Sequence, residues 1–333
     1  MMAHGKNQKD SITENNVSPS LPEFLSINMK GKAVREFLDQ NNYPYCDDIQ
    51  INLSPGSFEA GGQYGIEISS VNNLEILKYL VELAEENNIR IDRCDECRGI
   101  FRLPDKEITE MVKFCASNKI GLLMSTGPRA IYDTGAFIKS ESGKRQGYRL
   151  RGIENVVSAM DDIHRAIDLG VRGFLIYDEG LLFLIARMKE AGELPKNCIF
   201  KLSVHVGCSN PMSAVLYEQL GADSINLVPD LDLSMLSAIR RSVKCPLDLF
   251  TDTANEAGGF IRTYDAPSFI KIAAPVYLKC GPISQPKQNH LPSQEELRER
   301  IKQTRCVVEH VNRYYPEALP VSNQEKTLAI PGD

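Results

Sequence analysis

From Tyr64 onward the chain alternates a short β-rich run with an amphipathic helical pattern, and it does so eight times. That alternation is the signature of a parallel sheet whose strands are joined by helices. Gly65–Ser69 is followed by helical spacing over Leu74–Glu86, with Leu77, Leu80, Val81 and Ala84 on one face. Ile89–Arg93 precedes a helix near Lys106–Ser117, placed behind Asp105 as N-cap. Ile120–Ser125 leads to Ile153–Leu169, stopped by Gly170, and Gly173–Tyr177 to Leu181–Ala191, stopped by Gly192. After Ile199–His205, Pro211 opens a helix that Gly221 closes, the usual Pro-first, Gly-last asymmetry. Ser224–Val228 precedes Leu233–Val243, and Leu247–Thr251 precedes a short helix after Asp265-Ala-Pro267. Val276–Lys279 precedes a last helix from Ser293, which with Glu296 forms a capping box. Eight such units in roughly 250 residues match a closed (β/α)8 TIM barrel. The rival, an open doubly wound sheet, calls for a Gly-rich dinucleotide fingerprint after the first strand, and none is present.

Around the barrel, expected over residues 64–315, the pattern weakens. Residues 1–25 are polar and Asn/Ser-rich and read as a disordered tail. Residues 26–63 read as an N-terminal helix and connector. Gly31–Gln40 is the amphipathic helix, placed to plug the barrel bottom, and Asn52–Gly62 is the connector. Residues 316–333 read as a C-terminal tail. The formal net charge of -6 argues against a nucleic-acid surface, which needs a basic stripe to displace counterions. No apolar run reaches the roughly 18 residues of a membrane span, and the N-terminus has no apolar signal-peptide core. Nine cysteines without a secretion signal point to free thiols in a reducing cytoplasm. The expected partner is a small-molecule substrate, not nucleic acid or membrane; apolar helix faces leave a homo-oligomer open.

In such a barrel the loops after the strands build the site. Polar residues inside apolar strands mark the interior parity: Glu67, Ser69, Lys201, Ser203, His205, Asn226, Asp248, Asp252, Tyr277 and Lys279. Lys201 and Asp248, lower down, read as a structural ion-pair layer. Asp178, Glu179, His205, Asp252 and Lys279, at strand tops, would surround one pocket. There His205, assisted by Asp178 or Asp252, would move a proton. Lys279 would neutralise developing charge; an ion pair with Glu67 or Asp252, or a Schiff base, stays open. Arg93, Arg262 and the Gly258-Gly259 turn would hold a carboxylate or phosphate. The connection Thr126–Gly152 is far longer than a usual βα loop and reads as a lid, with Asp133 as a substrate contact. Glu67, Asp178, His205 and Asp252 also form a hard O/N set suited to magnesium, manganese or zinc. Cys94, Cys97, Cys208 and Cys280, all on the expected catalytic face, are enough for a zinc or iron–sulfur site.

Several segments resemble the bacterial barrel proteins known as U32 peptidase-like, in a largely uncharacterised branch. They are Lys201-Leu-Ser-Val-His205, Gly221-Ala-Asp-Ser-Ile-Asn-Leu227, Pro246-Leu-Asp-Leu249, Gly258-Gly-Phe-Ile-Arg262 and Ala273-Ala-Pro-Val-Tyr-Leu-Lys279. Tyr64-Gly-Ile-Glu-Ile-Ser69 and Asp133-Thr-Gly135 are similar too, so the resemblance covers about residues 60–280. It implies a TIM barrel and a hydrolase label, and in some relatives an iron–sulfur cluster on four cysteines. The acidic–Gly-Ser/Ala-Leu/Met-Cys run and later Ser-Gly-x-Cys of the collagenase-like members are absent, as is any Ser-His-Asp or HExxH arrangement. The expectation is therefore an enzyme acting on a small anionic substrate by acid/base chemistry, of hydrolase or lyase type. A divalent-metal-dependent enzyme, a non-catalytic metabolite-binding barrel and a four-cysteine iron–sulfur protein are the alternatives.

Overall fold

Strands that are apolar on both faces must be covered by helices outside and by side chains inside, which a closed parallel sheet provides. The computed structural model describes residues 20–27, 30–47, 51–144, 146–287 and 290–332. Its eight strands pair in parallel in chain order, and the eighth pairs with the first to close a (β/α)8 barrel. They are β1 Tyr64–Ile68, β2 Arg93–Glu96, β3 Gly121–Ser125, β4 Gly173–Ile176, β5 Ile199–Leu202, β6 Ser224–Asn226, β7 Leu247–Phe250 and β8 Val276–Cys280. The helices in chain order are α1 Leu21–Ile27, α2 Lys32–Gln40, α3 Leu74–Glu86, α4 Asp105–Asn118, α5 Ala136–Lys139 and α6 Glu141–Lys144. They continue with α7 Gly152–Asp168, α8 Glu179–Ala191, α9 Pro211–Gln219, α10 Leu233–Ser242, α11 Ala266–Ala273 and α12 Gln294–Tyr314. None is long and apolar enough to cross a membrane.

The main apolar core lies between the outer strand faces and the helices, where Leu77, Leu80, Ile108, Ile163, Phe174, Phe200 and Phe269 are buried. Helix starts follow the sequence signals. Asn73, Asp178, Asn210 and Asp232 each accept a backbone N–H of the first turn, and Ser293 with Glu296 completes the capping box.

One strand is displaced from its expected position, with consequences for the site. Ile89-Arg-Ile-Asp-Arg93 alternates like a strand, but its first residues finish α3 instead. Asn88 takes a left-handed conformation (φ 53°) and the Ile89 N–H bonds the Ala84 carbonyl at 2.8 Å. The paired strand begins at Arg93, which stands opposite Glu67 and Gly121. Arg93 therefore sits at the start of β2, toward the barrel bottom, and not at its top.

The ends of the chain also differ from expectation. Helix α1 begins at Leu21, within the stretch read as a disordered tail; residues 1–19 lie outside the described residues. Helix α2 has no buried residue and does not plug the barrel. It lies outside, and the turn after it, Tyr43–Tyr45, shares a groove with Arg240, Arg241 and Lys244 at the end of α10. The bottom is filled by the C-terminal segment. Val321 N–H bonds the Tyr64 carbonyl at 2.7 Å, Leu122 N–H the Ala329 carbonyl at 3.3 Å, and Arg93 Nη1 the Thr327 carbonyl at 2.9 Å. Val321 and Leu328 pack under Tyr277, and Ala329 packs under Leu123 and Ile199. Gly121 and Gly173 make this approach feasible: a Cβ on either would collide with the Leu328 carbonyl or with Ala329.

Candidate active site at the barrel mouth

Two polar levels fill the barrel interior, and they differ in what is left over for chemistry. The lower level is a closed set of charges. Glu67 accepts from Arg93 Nε at 2.6 Å, from Lys201 Nζ at 2.5 Å and from Lys279 Nζ. Asp95 accepts from Lys279 at 2.5 Å and Lys201 at 3.3 Å, and Asp248 pairs with Arg93 and, at 3.5 Å, with Lys201. Three carboxylates thus face three cations, all essentially without solvent exposure. Charges so deep persist only when mutually paired. Burial opposes ionisation of Glu67, yet Arg93, Lys201 and Lys279 outweigh it and hold its carboxyl well below the usual range. Burial likewise disfavours charge on Lys279, but Asp95 and Glu67 keep it protonated. A protonated amine is not a nucleophile, so nothing in this level favours a Schiff base at Lys279. Arg93, expected as a substrate clamp, belongs to this layer, with its guanidinium 3.5 Å from the Tyr277 ring.

The upper level is the mouth at the carboxyl ends of the strands. The connection Thr126–Gly152 folds back on itself, with Ala130 N–H to the Arg149 carbonyl at 3.0 Å and Ile131 N–H to the Gly147 carbonyl at 2.8 Å. This puts Tyr148 face to face with Tyr177, ring centres 5.0 Å apart, and with His205, 3.9 Å away and within 11° of parallel. Burial pushes the Tyr148 hydroxyl up to about 12, so it stays protonated. Ser125 Oγ shares a hydrogen bond of 2.9 Å with Tyr177 Oη. Arg129 lies beside both rings, its guanidinium 4.6 Å from Tyr177 and 5.1 Å from Tyr148. His205 itself is exposed, on the turn that leaves β5.

The other expected site residues are placed apart from this mouth or engaged elsewhere. Asp178 caps α8, accepting from Leu181 N–H at 3.1 Å, and its second oxygen takes Leu150 N–H at 3.2 Å. It tethers the lid base. Asp178→Ala is expected to cost about 1 kcal/mol as a lost cap, and Asp178→Ser to retain most of it, read as shifts of the urea midpoint. Asp252 is buried and accepts Gly281 N–H at 2.9 Å and Ile283 N–H at 2.8 Å, locking the tops of β7 and β8; burial raises its carboxyl above the usual range. Arg262 bonds Asp265 at 2.8 Å and the Pro229 and Leu231 carbonyls at 3.0 and 2.6 Å, so it ties two rim loops together. The Gly258 and Gly259 amides bond the carbonyls of Asn255 and Ala254, closing their own turn in place of cradling a phosphate. Asp133 is exposed on the lid, 3.7 Å from Arg151.

The hard-ligand set is not assembled: Glu67 lies in the lower charge layer, whereas Asp178 and Asp252 serve the rim as described. Among the described residues, no three His, Cys, Asp or Glu side chains are grouped to hold a metal ion. The cysteines divide as well. Cys94, Cys208 and Cys280 pack in the layer between strands and helices, and Cys97 packs with Leu175 and Tyr177 inside the mouth. All four are buried free thiols, and burial raises each above its ordinary pKa. Tyr148, Tyr177 and Arg129 are the mouth residues that sequence reasoning left without a role. Their signal was available only in part: Tyr177 ends a strand, and Arg129 and Tyr148 bracket the long loop.

The molecule is thus a (β/α)8 barrel with a sealed charged interior and an aromatic, arginine-bearing mouth under a long lid. No family model matches the chain, and no curated protein matches it. Among solved structures it is similar to a U32 peptidase, at 19% identity over 59% of this chain and 72% of the other, with a TM-score of 0.38. It is also similar to the YdjI aldolase from Escherichia coli K12, at 15% identity over 76% and 91% of the two chains, TM-score 0.44. A third is the thiamine phosphate pyrophosphorylase from Pyrococcus furiosus, at 14% identity over 74% and 95%, TM-score 0.41.

Proposed function

We propose that this barrel is an enzyme that acts on a small anionic substrate at its carboxyl-end mouth, with His205 as the group that gives or takes a proton. The observation that carries the reading is the placement of His205. An imidazole is the side chain whose ordinary pKa lies near neutrality, and this one is solvent-exposed yet oriented, stacked on Tyr148 of the lid. A fixed ring edge at the mouth of a barrel is what general acid/base transfer requires. Support for an anionic partner comes from Arg129, a buried cation among aromatic rings. Proton transfer of this kind serves hydrolysis and lyase chemistry alike, and both remain within the proposal.

The test begins with an unbiased metabolite capture read by mass spectrometry, followed by turnover assays on the captured compounds. His205→Ala is expected to lower kcat by about 10²–10⁴-fold without loss of fold, because the side chain is exposed. His205→Phe keeps a ring for Tyr148 to stack on but carries no proton, and is expected to be as inactive. Full turnover in the phenylalanine variant would reduce His205 to a packing element and sink the assignment.

A further inference from the structure

A helix on the outside of a barrel buries one face and gives the other to water, so large apolar side chains clustered on outer faces mark a surface that takes a partner. The helices that follow the eight strands are α3, α4 and α7 to α12. Among the described residues of these helices, exposed large apolar side chains are confined to α7, α8 and α9, apart from Tyr314 at the last position of α12. Ile153 is 68% exposed, Val157 47%, Phe183 50% and Leu216 51%. Consecutive strands β3, β4 and β5 put their three helices side by side. The Leu150 N–H, just before α7, bonds the Asp178 carboxylate that caps α8 at 3.2 Å, which sets the two helix starts level. Val157 and Phe183 then stand at the same depth, each just over one turn into its helix. Tyr217 Oη, next to Leu216, reaches Glu179 at 3.5 Å and brings α9 alongside α8.

We propose that the outer face of α7 and α8 is a dimer interface, covered by a second copy of this chain across a two-fold axis between the two helices. A two-fold contact uses the same patch on both copies. Such an axis lays α7 antiparallel on the partner's α8, and in that arrangement the charges match. With Phe183 seated on the partner's Val157, Arg187 lies one turn further along α8 and meets the partner's Glu154, one turn back along α7. Two turns past Phe183, Glu190 meets the partner's Arg151 at the N-cap position of α7. Glu154, Arg187, Glu190 and Arg151 are all exposed, and the symmetry makes each pair twice. Asp161, one turn after Val157, comes to the partner's Glu179, whose charge Arg149 neutralises. In the single copy Arg187 lies 5.3 Å from the Phe183 ring centre and bonds Glu190 at 2.7 Å. Exposed pairs of that kind contribute little, so exchanging it for contacts across the interface costs little. An apolar centre with a charged rim is how protein interfaces are built. The order of charges on this rim fits the chain's own patch, which selects a second copy over an unrelated apolar surface. The inference stands apart from the proposed enzyme.

The test is sedimentation velocity of the full chain over a hundredfold range of concentration, with circular dichroism as the check on folding. A dimer is expected, and a monomer at every concentration overturns the proposal. Phe183→Glu is expected to weaken association at least a hundredfold with the fold intact, because the side chain is half exposed. Arg187→Glu and Glu154→Arg each bring like charges together twice per dimer and are expected to weaken it about tenfold. The double variant, Glu154→Arg with Arg187→Glu, restores opposite charges and is expected to recover the dimer. Association that ignores Phe183→Glu, or that the double variant fails to recover, overturns the interface. Val34 and Phe37, exposed on α2, mark the rival surface. Loss of the dimer in Phe37→Glu but not in Phe183→Glu would place the contact there and sink the proposal.

Discussion

Arg93→Ala is expected to destabilise the protein by about 3–5 kcal/mol, read as a fall in the urea midpoint without a change in slope. The guanidinium is fully buried and holds Glu67 at 2.5 Å, Asp248, and the Thr327 carbonyl together. Its removal leaves three buried carboxylates against two lysines, and an unserved carbonyl from the C-terminal segment. A loss of that size is a large part of the roughly 5–15 kcal/mol typical of a whole domain. Arg93→Lys keeps the charge but cannot span three acceptors, so an intermediate loss is expected. The measurement separates the two roles this residue could have. As a substrate clamp on the surface, its loss would change stability by under about 0.5 kcal/mol and weaken binding instead.

Removal of residues 316–333 is expected to be as damaging. Val321 and Leu328 are wholly buried under the barrel, and burial of each such side chain contributes about 1.5–3 kcal/mol. The deletion also strips partners from Arg93 Nη1 and from Tyr277, whose hydroxyl is 2.9 Å from Thr327 Oγ1. Water would then reach the charge layer from below. The expected outcome is a chain that exchanges its β1 and β8 amides rapidly, or that fails to fold at all. Slow amide exchange and an unchanged melting temperature in the truncated chain would mean that this segment merely rests against the barrel.

The barrel was legible because period-two runs, helix periods and caps agree at nearly every unit. Legibility failed where local pattern and tertiary demand conflict. Ile89-Arg-Ile-Asp-Arg93 has a strand's alternation, whereas the observed strand reads Arg-Cys-Asp-Glu, a composition that is tolerable only because four other strands supply counter-charges. That shift moved Arg93 from the top of the barrel to the bottom and concealed Asp95, the third carboxylate of the interior. The C-terminal segment shows no periodicity, so its role depends on space left by Gly121 and Gly173 far back in the chain. Asp178, Asp252 and Arg262 do stand near strand ends, but rim loops need caps and ties, and these side chains meet that need first. The mouth itself depends on the return path of a 27-residue connection, which no local pattern encodes.

The account holds that chemistry belongs to the mouth and structure to the charges beneath it. A crystal structure with a captured anionic ligand bound tests this most directly. The ligand is expected beside Tyr148, with its anionic group near the Arg129 guanidinium and its reacting centre facing His205. A ligand seated instead in the groove between Tyr43–Tyr45 and the end of α10, with the mouth unchanged, would contradict it.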